Sequence, residues 1–90
     1  MTVTDNRERN RFELPVDGQI AFLDYERTGN ALRLIHTEVP EAYRGRGFGE
    51  MLVKTAIASG RAEGLSIVAI CPFVRAYMRK HPGDTRQEGR

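Results

Sequence analysis

Apolar and polar side chains alternate along three short stretches in the first half of the chain, a period that is typical of β-strands. The stretches cover residues 11–14, 19–25 and 31–39. Turn-forming residues separate them, and the Asp17–Gly18 pair between the first two marks a tight hairpin. Three strands joined by such short turns predict an antiparallel meander.

The second half of the chain follows a different period. Between residues 47 and 63 the apolar side chains recur about once per helical turn, which predicts an amphipathic helix. Residues 66–70 are apolar on both faces, as in a buried parallel strand. A strand, a helix and a second strand in this order predict a right-handed βαβ unit. Pro72 then suits the first turn of a short final helix that reaches about residue 80.

Together these elements predict an α/β fold. Its small mixed sheet combines the antiparallel meander with the βαβ unit, and one long helix and one short C-terminal helix complete it. The polar residues 1–10 and 83–90 offer little to bury, so we expect two flexible tails around one domain over residues 11–82.

Composition narrows the classes of function. The 90 residues are 40% apolar and 29% charged, and the formal net charge of +2 gives no strong attraction to nucleic acid. The single cysteine fits a reducing compartment, and neither a signal peptide nor an apolar run of membrane length is visible. We therefore expect a cytoplasmic protein, a monomer or weak homodimer, with no nucleic acid, membrane or metal partner.

The most informative stretch is the loop that joins the third strand to the long helix. Gly45, Gly47 and Gly49 stand at alternate positions there, with Arg44 and Arg46 among them. Glycine permits positive φ and lets a ligand approach the backbone, while a helix N-terminus presents unpaired N–H groups. The loop therefore predicts a diphosphate-binding site. Its glycine spacing differs from the dinucleotide fingerprint, and it has no Gly-Lys-Ser/Thr of a P-loop.

A resemblance to a known family starts from this loop. The run Arg44-Gly45-Arg46-Gly47-Phe48-Gly49 resembles the Arg/Gln-x-x-Gly-x-Gly/Ala signature of the GNAT superfamily, which contains acyl-CoA-dependent N-acyltransferases. It stands between a strand and a long helix, as the signature does in that family. Residues 36–49 and 71–74 are also similar to the short, single-domain subset described as YjdJ-like.

The resemblance implies a minimal GNAT-like fold, in which a splayed sheet holds acetyl-CoA in the gap between two parallel strands. It implies that pantetheine pairs with the backbone at Glu38 and Val39 and that the pyrophosphate lies on the loop. GNAT domains commonly carry helices between the first strands, where this chain has a tight turn. We therefore expect an acceptor side that is open or completed by another chain. The cofactor-binding residues implied are Val39, Arg44, Gly45, Arg46, Gly47, Phe48 and Gly49.

Polar residues at the ends of the two parallel strands are candidates for the chemistry. The period of two places His36 and Glu38 on the same face of the third strand as Leu32 and Leu34. If the βαβ unit holds, that strand lies beside the one leading to Cys71. We therefore expect His36 and Cys71 to be neighbours.

Each candidate has a functional and a structural interpretation. Cys71 is expected near a helix N-terminus, which lowers a thiol pKa, and it either accepts the acetyl group or lines the pocket. The structural interpretation is a small buried apolar residue. His36 is a candidate base for the amine or activator of Cys71, and otherwise a hydrogen-bonded residue at the core edge. Glu38 either orients His36, takes the proton through water, or is simply solvated. Tyr77 is a candidate acid for the thiolate, or packs against the sheet.

Three functions follow from these observations. The first is acetyl-CoA-dependent transfer of an acetyl group to an amine acceptor. The second is a non-catalytic acyl-CoA-binding module, because the family's acceptor walls are missing. The third, a phosphate- or nucleic-acid-binding domain, is disfavoured by the balanced charge.

Overall fold

A computed structural model describes residues 2–85 of the chain. Five strands and four helices lie within this range, the first helix being a single 3-10 turn. The predicted strands, the long helix and the short final helix are all present. In chain order the elements are β1 (Thr4–Asn6), β2 (Arg11–Val16), β3 (Gln19–Thr28), β4 (Ala31–Glu38), the 3-10 turn (Glu41–Tyr43), α1 (Phe48–Ala62), β5 (Ser66–Ala69), α2 (Pro72–Lys80) and α3 (Pro82–Thr85).

The five strands form one mixed sheet in the order β1-β2-β3-β4-β5. Neighbouring strands are antiparallel from β1 to β4, and β5 runs parallel to β4. Asp17 and Gly18 both have positive φ, of 49° and 81°, which is the two-residue turn that matches the twist of paired strands. The predicted α/β class, with a meander and a βαβ unit, is confirmed.

The helices cover one face of the sheet. Alternate residues of β2, β3 and β4 point into one buried cluster with α1 and α2, and the largest fully buried side chains are Phe12, Leu14, Leu23, Leu32, Leu34, Leu52, Val53 and Val74. None of the helices within residues 2–85 covers the opposite face, where Ile20 is 44% and Val68 37% exposed. No helix within residues 2–85 combines the length and the apolar character that a membrane-spanning helix needs.

A glycine brings the C-terminal half of α1 close to the parallel strands. A Cβ atom at Gly60 would lie 2.7 Å from Cδ1 of Ile67 and 3.0 Å from Cδ2 of Leu32. These distances are shorter than normal carbon–carbon contacts, so any larger residue at position 60 forces its neighbours to move. Gly60 thus sets the spacing between the helix and the sheet.

The N-terminal residues differ from the prediction. A flexible tail was expected over residues 1–10, but Thr4–Asn6 pair with β2 as an edge strand. The Tyr25 hydroxyl donates a 2.5 Å hydrogen bond to Asp5, and Arg27 lies 3.5 Å from the same carboxylate. Polar contacts hold this strand, and hydrophobic alternation does not reveal such contacts. Of the tail expected at residues 83–90, residues 86–90 lie outside the described range, and Pro82–Thr85 form α3.

An irregular pairing between β3 and β4 changes which face the end of β4 presents. Asp24 pairs with His36, but the next residue, Tyr25, pairs with Leu34, so Ile35 is an extra residue in β4. One added residue exchanges the two faces of a strand. His36 and Glu38 therefore point to the bare face, and the prediction that they share the core face with Leu34 is wrong.

We expect the Asp5→Ala variant to be less stable than the wild type by about 1–2 kcal/mol, because the buried end of Tyr25 loses its acceptor. Thermal or urea unfolding followed by circular dichroism measures this difference. Glu8→Ala is the matched control, since Glu8 is an exposed residue of the turn after β1. Equal stabilities for Asp5→Ala and Glu8→Ala would show that the Asp5 contacts do not stabilise the fold.

Candidate functional site

A cavity of about 430 Å³ opens where β4 ends and α1 begins. Its walls come from the end of β4, the loop that follows, the first turn of α1 and the first turn of α2. The predicted cofactor-binding residues are all among the lining residues except Arg46. The lining residues are Thr37, Glu38, Val39, Tyr43, Arg44, Gly45, Gly47, Phe48, Gly49, Glu50 and Phe73.

The loop turns into α1 through two residues with positive φ. Gly45 and Gly47 have φ of 81° and 87°, and a Cβ atom at either position would meet no other atom within 4 Å. The first helical hydrogen bond of α1 runs from the Met51 N–H to the Gly47 carbonyl, at 3.0 Å. The preceding N–H groups of the first turn therefore have no acceptor within the helix. Together with the helix dipole, they make this wall of the cavity suitable for an anion.

A third glycine brings α2 against the same loop. A Cβ atom at Gly49 would lie 2.9 Å from Cζ of the Phe73 ring and 3.6 Å from a methyl group of Val39. Phe73 therefore closes the cavity opposite the loop, in a position that a side chain at residue 49 would take. The apolar ring and the glycine turn together give the cavity one apolar and one polar wall.

The two parallel strands separate next to the cavity. Their pairing ends at Leu34 and Ala69, where the Leu34 carbonyl accepts hydrogen bonds from the N–H groups of both Ile70 (2.9 Å) and Cys71 (3.0 Å). Beyond this point β4 continues to Glu38, whereas the segment after β5 turns into α2. The last residues of β4 therefore present backbone N–H and C=O groups towards the gap. The predicted splay of the sheet is present in this form.

The two arginines of the loop behave differently. Arg44 donates from Nε to the Val39 carbonyl (2.9 Å) and from Nη2 to Oε2 of Glu38 (3.3 Å). The guanidinium of Arg46 lies 5.4 Å from the centre of the Tyr43 ring, a cation–π geometry. Arg44 lines the cavity and is hydrogen-bonded to the end of β4 and to Val39, whereas Arg46 is not one of the residues that line the cavity.

His36 and Glu38 form a pair on the bare face of the sheet. Nε2 of His36 lies 3.0 Å from Oε1 of Glu38, and the side chains are 55% and 44% exposed. The Phe22 ring meets the imidazole edge-on, with centroids 6.3 Å apart. This arrangement fixes the imidazole plane while leaving the ring open to solvent molecules and ligands.

Cys71 lies on the other side of the sheet, at the N-cap of α2 and only 4% exposed. Burial raises the pKa of its thiol, but hydrogen bonds from the Val74 and Phe73 N–H groups and from Thr37 outweigh burial and leave the pKa lowered. Thr37 Oγ1 is 3.7 Å from Sγ. The extra residue in β4 makes Thr37, not His36, the neighbour of Cys71, so the predicted activation of Cys71 by His36 does not fit this geometry.

Tyr77 is buried on α2, and its ring stacks on His81 with centroids 4.3 Å apart. Among the described residues, neither Tyr77 nor Cys71 lines the cavity. The role of Tyr77 as an acid stays a prediction, because nothing in the fold tests it.

Four lining residues were missed from the sequence: Thr37, Tyr43, Glu50 and Phe73. Predicting that Thr37 lines the cavity requires knowledge of the irregular pairing between β3 and β4. Tyr43 is linked to the β2–β3 hairpin, since a hydrogen bond with the Asp17 carboxylate raises the pKa of its phenol. The sequence does contain a signal for Phe73, because it follows the Cys71-Pro72 junction where β5 meets the gap.

We expect Thr37→Val to raise the pKa of the Cys71 thiol, because valine cannot donate the hydrogen bond that favours the thiolate. Thr37→Ser is the matched control and should keep the lowered pKa. The Cβ chemical shift of Cys71, followed by NMR across a pH titration, measures both. With the pKa lowered in the folded protein, ionised Cys71 adds stability above the unfolded pKa, and this contribution is lost as pH falls through the folded value. An unchanged titration in Thr37→Val contradicts the assignment.

Comparison with known proteins agrees with the fold. A family described as "GCN5-related N-acetyl-transferase" matches residues 11–87. The chain is 36% identical over 83 residues to Protein NATD1 of Mus musculus, covering 89% of this chain and 76% of that protein. It is 36% identical over 83 residues to Protein NATD1 of Homo sapiens, covering 89% and 74% respectively. For Protein NATD1 of Danio rerio the identity is 33% over 85 residues, covering 91% and 77%.

The family match spans the sheet from β2 to β5, the glycine loop and α2, and therefore includes every wall of the cavity. The sequence signature, the mixed sheet and the comparison all lead to one assignment. The chain belongs to the GCN5-related N-acetyltransferase family.

Proposed function

We propose that this protein is an acetyl-CoA-dependent N-acetyltransferase that transfers the acetyl group to an amine. One observation carries the proposal: a helix N-terminus with unpaired N–H groups, a strand edge that β5 leaves free, and the His36–Glu38 pair lie together at the end of β4. The reaction has three requirements, and each part meets one of them. The helix N-terminus would hold a diphosphate, the strand edge would align an acyl arm, and the His36–Glu38 pair would accept a proton.

The residues that line the cavity fit the cofactor. The N–H groups at the start of α1 would hold the pyrophosphate, and the open space above Gly45 and Gly47 leaves room for it. The backbone at Glu38 and Val39, beyond the point where β5 turns away, would pair with the pantetheine arm. Phe73 supplies an apolar wall beside it. Acetyl-CoA would supply an acetyl thioester, whose C–S bond breaks as the acceptor nitrogen forms the new amide bond and the thiol leaves.

The bare face of the sheet is the acceptor side in this proposal. His36 would accept the proton that the attacking amine gives up, since its ring is accessible and Glu38 holds Nε2. Glu38 would stabilise the imidazolium that results. The helices occupy the other face, so the acceptor and the core do not compete for space. The acceptor itself is an amine that can approach a largely flat surface.

Cys71 has a separate place in the proposal. Its lowered pKa and its position at the N-cap of α2 support the alternative in which the thiolate first accepts the acetyl group. Its burial and its position on the opposite side of the sheet from His36 and Glu38 favour direct transfer. We propose direct transfer as the main route. Tyr77 is kept as the predicted proton donor to the leaving thiolate.

A second candidate function rests on the bare face itself. The second candidate is a non-catalytic acyl-CoA-binding module. A sheet with no helix over one face can bind acyl-CoA without holding an acceptor. The His36–Glu38 pair has no purpose in such a module, and this favours the enzyme. Turnover of acetyl-CoA in the presence of amines separates the two functions.

We expect Gly47→Glu to abolish stabilisation by acetyl-CoA, because a negative side chain at the helix N-terminus repels the diphosphate. In the wild type, acetyl-CoA at about a thousand times its Kd should raise the unfolding free energy by about 4 kcal/mol. Gly64→Glu is the matched control: its φ is 78°, its surroundings are equally open, and it lies beyond the far end of α1. A thermal-shift titration measures all three proteins. If Gly47→Glu binds as well as Gly64→Glu, the loop does not hold the cofactor.

We expect His36→Gln to lower kcat by about 100-fold, the usual contribution of a general base, while the Kd for acetyl-CoA stays the same. Glu8→Gln, which changes an exposed residue of the turn after β1, should keep kcat close to that of the wild type. A thiol-release assay with an amine acceptor gives kcat, and calorimetry gives Kd.

The same assay tests the alternative route. Direct transfer predicts that Cys71→Ala retains turnover and that mass spectrometry finds no acetyl group on Cys71 of the wild type. An acetyl adduct on Cys71, together with loss of turnover in Cys71→Ala, would transfer the main role from His36 to the thiol.

A further inference from the structure

Arg44 makes two contacts that its position in a phosphate-binding loop does not explain. Its Nε donates to the Val39 carbonyl at 2.9 Å, and its Nη2 lies 3.3 Å from Oε2 of Glu38. Both acceptors belong to the end of β4 and the residue that follows it. The side chain thus folds back along the chain onto the end of the strand.

Glu38 connects this contact to His36. Its two carboxylate oxygens have different partners: Oε2 faces Arg44 and Oε1 faces Nε2 of His36, at 3.0 Å. The three side chains form one continuous chain, Arg44–Glu38–His36. Arg44 is the member of this chain that is also anchored to the backbone, through Val39, so it limits the rotamers open to the carboxylate.

The orientation of Glu38 determines what His36 can do. With Nε2 held by the carboxylate, Nδ1 is the nitrogen left for another partner. If Glu38 were free to rotate, the imidazole would lose the group that fixes its ring plane and selects its tautomer. Efficient proton transfer requires side-chain positions that hold to within a fraction of an ångström. The orientation that Arg44 gives to Glu38 therefore matters more than the energy of the Arg44–Glu38 contact.

Arg46 provides an internal comparison. It belongs to the same loop and carries the same charge, but its guanidinium lies over the Tyr43 ring, 5.4 Å from the ring centre. It has the electrostatic effect of an arginine in this loop without the contact to Glu38. Arg46 therefore separates the general effect of positive charge from the specific effect of the Arg44 side chain.

We propose that Arg44 is a positioning residue: it orients Glu38, and through Glu38 it holds His36 ready to accept a proton. This role differs from the phosphate contact that the loop motif suggests. Its consequence for catalysis rests on the function proposed above, whereas its consequence for the orientation of His36 does not. Because all three side chains are exposed to solvent, the expected effect is moderate.

A double-mutant cycle tests the proposal. Arg44→Gln should lower kcat by about five-fold, the size expected for an exposed charged contact, and change the Kd for coenzyme A by less than about two-fold. In a Glu38→Gln background the same substitution should have no further effect on kcat, because Arg44 acts through Glu38. Arg44→Lys should recover part of the rate, since one ammonium group can contact Glu38 but lacks the fork that also reaches Val39.

Two results would overturn the proposal. One is an equal loss of kcat from Arg44→Gln in both backgrounds, which means that Arg44 acts independently of Glu38. The other is a large rise in the Kd for coenzyme A without a change in kcat, which is the behaviour of a phosphate ligand. Arg46→Gln, measured in parallel, shows the effect of removing a positive charge alone.

NMR of the protein without any acetyl donor separates this proposal from the proposed enzyme activity. The ring signals of His36 should shift in Arg44→Gln and stay in place in Arg46→Gln, with His81 as the internal reference. A shift of the His36 signals in a protein that shows no acetyl transfer would support the positioning role while rejecting the enzyme. Unshifted His36 signals in an active enzyme would reject the positioning role alone.

Discussion

The extra residue in β4 is the constraint on which the site depends. A regular strand would continue the face of Leu34 through His36 and Glu38, and both polar residues would then point towards the helices. Because Ile35 has no partner in β3, the strand exchanges its faces at the point where β5 also turns away. Thr37 then points to Cys71, and the two ionisable residues point outward. One added residue thus gives the end of β4 a different chemistry on each side of the sheet.

The sequence was sufficient for the elements whose patterns are local. Apolar alternation identifies β2, β3 and β4, helical spacing identifies α1, and the Asp17–Gly18 pair identifies the hairpin. The irregular pairing in β4 could not be predicted, because it depends on how β3 and β4 align with each other. The strand β1 was not predicted for a different reason. Two partners of Asp5, Tyr25 and Arg27, lie 20 or more residues away in the chain, and only Arg7 is near it in sequence.

The candidate site shows the same division between local and long-range information. The glycine loop is a continuous motif, and nearly all of its predicted residues line the cavity. The contact of Arg44 with Glu38 joins residues only six positions apart, but it requires the loop to fold back on the strand, which no motif records. His36 and Glu38 were selected correctly as neighbours on one face, and only the identity of that face was wrong. The types of the residues therefore predicted which residues belong to the site, but they did not predict the surroundings of each residue.

Two glycines also determine how α1 can change over evolutionary time. Gly49 allows Phe73 to approach the first turn, and Gly60 allows Ile67 and Leu32 to approach the last. These positions are 11 residues apart, or about 16 Å along the helix axis. The helix is therefore held against neighbouring elements at both ends, which leaves little freedom to slide or tilt. A larger side chain at position 60 requires Ile67 and Leu32 to move or to become smaller, so position 60 should vary together with these two positions among related chains.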